Sequence, residues 1–280
     1  MGPFSFRSPV VPMVLSLVSS RTQPEPQDCR VMRLLLVAVV MGGMSVGTVE
    51  LGSQSPRDAN PERPTFATHA YTTAPGFVEL EQGLSARGVG SLREATSWDV
   101  NLKLGVAPHA QVALFGPLYA RGPGGGGMGD LGMALKLRKD VSNRAALAAV
   151  SSVTVPTGSA ARRLGAGRVL GGLVGVVSAD LPAGVHVDIN AGPQGIGAGA
   201  PQWFTSLSGA RGFARVGITL EAFQFSEGGA GPRLAGILGG VTFRLVNWAV
   251  ADVGGVTRTA TGTPRQVFLG LTTNLGRVFR

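Results

Sequence analysis

In the stretch "SWDVNLKLGVAP", residues 97–108, apolar and polar side chains take turns. Trp98, Val100, Leu102, Leu104 and Val106 are apolar, while Ser97, Asp99, Asn101, Lys103 and Gly105 are polar or tiny. Successive side chains of a β-strand point to opposite faces. A period of two therefore gives a sheet with one greasy face and one polar face. The same pattern recurs to the carboxyl end. In "FVELEQGLSA", Val78, Leu80, Leu84 and Ala86 alternate with Glu79, Glu81, Gly83 and Ser85. "GDLGMALKLR", "GVHVDINAG", "VGITLEAFQF" and "RQVFLGLTTNLG" repeat it. "RVLGGLVGVVSA" and "AGILGGVTF" are apolar and glycine on both faces and are assigned to strands by analogy.

The pattern predicts twelve strands, at about 77–86, 97–107, 110–116, 128–138, 145–155, 168–180, 184–192, 202–210, 215–225, 233–245, 248–257 and 266–279. Most match the roughly 9 to 11 residues that a tilted strand needs to cross a bilayer. The connections alternate. "RGVGSLREAT" is long and "PH" is short; "PTGSAARRLGA" is long and "LPAG" is short; "AGPQGIGAGAP" is long and "RGFA" is short. A meander between two unlike compartments produces this, with long loops outside and tight turns in the periplasm. An even strand count places both chain ends on the tight-turn side.

Alternation by itself fits a soluble β-sandwich equally well. Three features favour lipid: long, even segments, loop lengths that alternate throughout, and an export leader. In hydrocarbon every backbone N–H and C=O needs an internal partner, and only a closed sheet supplies all of them. The predicted fold class is all-β, a transmembrane up-and-down antiparallel β-barrel of about 12 strands over residues 76–280. Its apolar rows face lipid and its polar rows face the lumen.

The leader is "VMRLLLVAVVMGGMSVGTV". It has an arginine, a short apolar core and small residues, the anatomy of a secretory signal peptide. The expectation is a leader over 1–47, with a signal peptide at 32–47 cut after Gly47. A start at Met32 would leave residues 1–31 untranslated. Residues 48–75 are polar and proline-punctuated, and read as a loop or extended lead-in.

Charged residues make up only 15% of the chain, against about a quarter on average. Net charge is +9, but the arginines are scattered and no nucleic-acid-binding signature appears, so nucleic acid is not expected as a partner. The single cysteine, Cys29, precedes the cut, which excludes a disulfide framework. Aromatics are sparse at 6%. Trp98, Phe115, Tyr119, Trp203, Phe225, Phe243 and Trp248 lie near strand ends, where they would form thin interfacial belts.

The stretches "RPTFATHAYTTAPGFVELEQG", "GDLGMALKLR", "VSSVTVPTG", "DINAG" and "VFLGLTTNLGRVF", in that order, resemble the meta-pathway phenol-degradation family over roughly residues 63–279. That family consists of outer-membrane barrels described as transporters. The resemblance implies a location in the Gram-negative cell outer membrane and a small hydrophobic or aromatic solute. The carboxyl end resembles the signal read by the barrel-assembly machinery, with Phe279 in the lipid-facing phase of Val267, Leu269, Leu271 and Leu275.

Enzyme motifs are scarce. "GIGAGA" is followed by Pro201 and a strand, so it lacks the helix amino terminus of a dinucleotide loop. "GPGGGG" lacks the Gly-Lys-Ser/Thr of a P-loop. His69, His109 and His186 have no second ligand at metal-binding spacing, so neither a metal nor another cofactor is expected. A Ser–His lipid hydrolase would need His186 beside Ser206 or Ser208 with a third orienting group.

The candidate lumen-lining residues are Glu79, Glu81, Asp99, Asn101, Lys103, Asp130, Lys136, Arg138, His186, Asp188, Asn190, Glu221, Asp252 and Asn274. Both signs occur on adjacent strands. The expectation is cross-strand ion pairs that fill a narrow barrel, with a charge-lined solute path as the alternative. A basic outer rim is expected at Arg87, Arg93, Arg121, Arg162, Arg163, Arg258 and Arg265, facing membrane lipid and lipopolysaccharide phosphates. The functional expectation is a passive channel or transporter without enzyme activity. A barrel-embedded lipid hydrolase and a non-conducting structural barrel are the alternatives.

Overall fold

The computed structural model describes residues 55–88, 95–258 and 263–280. The leader, residues 48–54 and Arg93 lie outside the described residues. Twelve long strands form the wall. They are β1 (Phe77–Gly88), β2 (Ala95–Ala107), β3 (Ala110–Gly122), β4 (Leu131–Ser142), β5 (Ala145–Val155) and β6 (Leu170–Leu181). Then come β7 (Val185–Ile196), β8 (Gln202–Phe213), β9 (Val216–Phe225), β10 (Leu234–Val246), β11 (Ala249–Arg258) and β12 (Arg265–Arg277). Each pairs antiparallel with its sequence neighbours, and β1 pairs with β12 from Phe77↔Arg277 to Gly88↔Arg265, which closes the sheet into a barrel. Closure gives every strand two partners, so the wall has no open edge to leave unsatisfied in hydrocarbon.

The outward side is a continuous apolar belt. Leu84 and Leu269 face each other across the closing seam and are 59% and 58% exposed. Met133, Leu137, Ile189 and Ile218 continue the belt on other strands. The inward rows carry the buried polar and charged residues, so the parity of the sequence maps directly onto the two faces. This is a membrane-spanning barrel of the outer-membrane type.

Five expectations need correction, four of them on the wall and its ends. First, β3 runs to Gly122, beyond the expected end at 116. "GPLYARG" reads as a loop because Gly-Pro is a turn signal. Here Gly116 sits at a φ of +147°, and the β2–β3 register slips beside Pro117. Strand β4 stops pairing at Phe115↔Gly132, so the missing N–H of Pro117 interrupts no ladder on that side. Above that level, β3 pairs with a three-residue return strand, Gly125–Gly127.

Second, Phe115 and Phe225 are not belt residues: they are 3% and 0% exposed and point inward. Each shares the inward phase of its strand, Phe115 with Gln111 and Phe225 with Glu221. Trp98, Tyr119, Trp203, Phe243 and Trp248 do lie on the exposed surface. Third, Arg87 is not on the rim. β1 continues to Gly88, and the odd phase keeps Arg87 buried inside. Fourth, β12 ends at Arg277, so Phe279 follows the last strand rather than closing it, and is exposed.

Candidate functional site: the occupied lumen

Residues 55–76 form no strand with the wall. Residues 55–57 are exposed at the tight-turn mouth, and residues 59–76 run inside the barrel and make one circuit of its inner surface. The circuit starts on the tight-turn side, where the Ala59 N–H donates to the Asn247 carbonyl at 2.8 Å. Asn60 N–H and Glu62 N–H donate to the β1 carboxylates of Glu79 and Glu81, each at 2.7 Å. Arg63 then pairs with Asp252 of β11 at 3.1 Å. Phe66 N–H and Ala67 N–H donate to Glu221 of β9 at 2.7 and 2.8 Å.

On β7, Asn190 makes a reciprocal pair with Thr68, accepting its N–H and donating to its carbonyl, both at 3.0 Å. Ala70 N–H donates to Ser178 and the Tyr71 hydroxyl to Asp180, both on β6. Thr73 N–H donates to Gln111 of β3 at 2.8 Å. Gly76 N–H reaches the Gly105 carbonyl of β2, and the chain enters β1. The wall is thus visited in the order β1, β11, β9, β7, β6, β3, β2.

The reason is the accounting of buried backbone groups. An N–H taken out of water without a partner costs roughly 1–3 kcal/mol, and a segment that joins no ladder has none of its own. Seven N–H groups of residues 60–73 are capped by side chains of the wall. Two lysines add charge. Lys136 contacts Glu62, and donates to Thr68 Oγ1 at 2.7 Å and the His69 carbonyl at 2.9 Å. Lys103 joins Glu79 and Glu81 and donates to the Asn60 carbonyl at 3.1 Å.

Glycines make room for the tightest approach. A Cβ on Gly83 would stand 2.4 Å from the Arg63 guanidinium, and one on Gly270 would stand 2.3 Å from it. Only a bare backbone on β1 and β12 lets Arg63 reach Asp252.

The expected lumen residues divide by what they hold. Glu79, Glu81, Lys103, Lys136, Asn190, Glu221 and Asp252 bind the inner segment directly. Asn274 donates to the carbonyls of Pro56 and Asp58. Arg138 lies over the Tyr71 ring at 4.7 Å and pairs with Asp140. Asp99 accepts from Ser97 at 2.7 Å. Asn101 borders a cavity beside Glu62, Thr68, Gln111 and Lys136 with room for about one water molecule. Asp130 is a correction: it precedes β4 and lies in an outer loop rather than on the wall. There it accepts N–H bonds from Gly158 and Ala166 at 2.9 and 2.6 Å. Burial pushes its carboxyl above the ordinary value, against those two donors.

The polar rows therefore serve neither of the two expected purposes in the main. Lys103 with Glu79 and Glu81 is a cross-strand ion pair, as is His186 with Asp180, but most of the polar rows grip residues 60–73. Sequence reasoning missed Glu62, Arg63, Phe66, Gln111 and Ser178. Gln111 and Ser178 share the inward phase and were open to detection. Glu62 and Arg63 sit in "NPERP", whose prolines mark a loop and say nothing of where the loop lies.

His186 has Nδ1 2.7 Å from Asp180 and Nε2 3.0 Å from Asp188. Both ring nitrogens face carboxylates, so neither is presented to a serine. Ser208 donates to Asp188 at 3.4 Å rather than to the histidine. The arrangement lacks the nucleophile–base contact of a hydrolase. Among the described residues, no group of three or more histidine, cysteine or acidic side chains is placed to hold a metal ion.

On the outer side, Arg121, Arg162, Arg163 and Arg265 are exposed and Arg258 ends β11. The outer half of the lumen holds a cluster of buried apolar side chains, Phe115, Leu170, Phe204, Phe225 and Leu234, beside the buried polar residues Arg87, Asp99, Gln194, Gln202 and Gln266.

No protein-family model matches the chain, and no curated protein sequence matches it. Solved structures share its fold. The COG4313 outer membrane channel from Pseudomonas putida F1 is 13% identical, with 78% of this chain and 100% of that chain covered and a TM-score of 0.56. The NanC porin is 7% identical, covering 70% of this chain and 100% of its own, with a TM-score of 0.52. The KdgM porin is also 7% identical, covering 70% and 98%, with a TM-score of 0.51. At such identities the likeness is one of fold: a closed barrel of the outer-membrane porin type.

Proposed function

We propose that this chain is an outer-membrane channel for small hydrophobic or aromatic molecules, held shut by its own residues 60–76. The observation that carries the reading is the inner circuit. A single segment is gripped by side chains from eight strands of the wall, and beside it is room for about one water. No solute larger than water passes while it is in place. A purely structural barrel needs no such segment, since apolar side chains fill a narrow lumen at lower cost than a set of buried ions. Passage is passive and follows departure of the segment toward the tight-turn side, where it enters.

The fold shared with a protein described as an outer membrane channel supports the reading. The aromatic part rests on the resemblance to the meta-pathway phenol-degradation family and on the buried phenylalanine rings of the lumen. In the same proposal, the exposed loop arginines meet lipopolysaccharide phosphates, and Phe279 is presented to the assembly machinery.

Conductance in planar bilayers tests it. The full chain is expected to be mostly closed, and a chain lacking residues 60–72 to conduct steadily. A deletion variant that shows the heat-modifiable gel mobility of a folded barrel, yet conducts no more than the full chain, overturns the proposal in favour of a scaffold.

A further inference from the structure

The grip on the segment leaves one arrangement unexplained. The Phe66 ring lies 4.6 Å from Phe223 in an edge-to-face contact. Phe223 lies 6.3 Å from Phe225, which stacks on Phe204 at 4.9 Å. Leu238 and Phe268 belong to the same buried cluster. Phe66 comes from the segment; the other rings come from the wall. The wall thus forms an aromatic chamber, and the chain has put a phenyl ring of its own into it.

Beside the chamber stands Glu221, fully buried and two residues before Phe223 in the same inward phase. It differs from the other acids that hold the segment. Glu79 and Glu81 have Lys103, and Asp252 has Arg63. Among the described residues Glu221 has no ion pair. Its partners on the segment are the N–H groups of Phe66 and Ala67, and on the wall the Ser206 hydroxyl of β8. A buried carboxylate is costly without a cation, and two amide donors bring only partial positive charge.

The geometry has a chemical reading. The path from the Phe66 nitrogen to its ring runs N, Cα, Cβ, phenyl, which is the skeleton of an arylethylamine. The nitrogen is on Glu221 and the ring is in the chamber.

We propose that Glu221 and the phenylalanine chamber form a binding site for a small arylethylammonium solute, which occupies the place of Phe66 when the segment departs. The ammonium supplies the full positive charge that the amide lacks, in a charge-assisted hydrogen bond. A carboxylate in place of the amine meets like charge at Glu221 and is refused. The channel reading is needed for the departure of the segment. Binding to the vacated site is read separately from conductance.

The test uses the full-length chain carrying Phe66→Ala and Asp252→Ala, which removes the ring and loosens the segment whose backbone N–H groups otherwise hold Glu221. It is studied in a non-ionic detergent, with folding checked by heat-modifiable mobility and release of the segment by hydrogen exchange of residues 60–73. The probe is 4-fluorophenethylamine, followed by fluorine NMR, with 4-fluorophenylacetate as the acidic counterpart. The double variant is expected to bind the amine saturably and at least about tenfold tighter than the unaltered chain, and not to bind the acetate. Adding Glu221→Gln is expected to weaken binding by about tenfold or more, the worth of one hydrogen bond to a charge. If the double variant fails to give the folded band or keeps the segment protected, the chain lacking residues 60–72 replaces it. The proposal is overturned if the amine does not bind saturably, if amine and acetate bind alike, or if the Gln variant binds as tightly. A chain that binds the amine but stays closed after deletion of residues 60–72 sinks the channel reading and leaves the site standing.

Discussion

Arg63 and Asp252 form a buried ion pair, Nε to Oδ2 at 3.1 Å, between residues 189 positions apart in sequence. One belongs to the inner segment and the other to β11. Their side chains are 5% and 0% exposed. The pair ties the segment to a strand that lies three places around the wall from β2, beside which the segment leaves the lumen.

Removing one partner of such a pair leaves a buried charge alone, which costs about 3–5 kcal/mol. The segment escapes that cost by leaving. Asp252→Ala is therefore expected to strip amide hydrogen-exchange protection from residues 60–73 and to raise conductance, while the barrel keeps its folded gel mobility. Unchanged protection in that variant would show that the ion pair does not hold the segment.

Lys136 makes the same argument from the other wall. Lys136→Met leaves the buried Glu62 carboxylate without its nearest cation and removes donors to Thr68 and His69. The expected result is a large rise in open time in planar bilayers. Lys139→Met, on an exposed outward position of the same strand, is expected to change it little. Equal effects of the two would detach the segment from gating.

Asn190 tests the backbone accounting. Asn190→Leu keeps the volume but orphans the N–H and the carbonyl of Thr68, at about 1–3 kcal/mol for a buried group left unpaired. Exchange of the Thr68 amide is expected to accelerate by about tenfold or more, a factor that corresponds to 1.4 kcal/mol. An exchange rate equal to that of the unaltered chain would refute the role assigned to Asn190.

The outer face makes an independent prediction. Leu269 lies on the lipid side of β12, opposite Leu84. An arginine at the bilayer midplane costs about 2–4 kcal/mol, and near the interface about 0–1. Leu269→Arg should thus lower the stability of the barrel refolded into vesicles, measured by urea titration. Trp203→Arg, one residue into β8, should lower it much less.

Asp130 anchors an outer loop and no part of the wall. Asp130→Ala frees the N–H groups of Gly158 and Ala166, so proteolysis after Arg162 or Arg163 should quicken. Barrel stability and conductance should stay as they are. A change in conductance would place the loop in the solute path.

Much of this barrel is readable from parity. Glu79, Glu81, Asp99, Lys103, Lys136, Asn190 and Glu221 were placed inward by alternation alone, and they face inward. The same parity would have placed Phe204, Phe223, Phe225 and Phe268 inside, beside Gln202, Glu221 and Gln266. Sorting residues by polarity rather than by phase hid them. Arg87 and Asp130 were misplaced for a different reason: strand ends shift by a few residues, and one residue of extension moves a side chain from loop to wall.

By itself the sequence determined the wall. Which side a strand residue faces depends on its immediate neighbours, and a period of two is visible in any ten residues. Alternating loop lengths then set the meander. Tertiary structure alone decided what fills the lumen. The hydrogen bonds that hold residues 60–73 span 19 to 155 positions, and the Arg63 ion pair spans 189. A segment whose N–H groups are satisfied by scattered side chains repeats nothing along its length, and its path exists only once the sheet has closed around it.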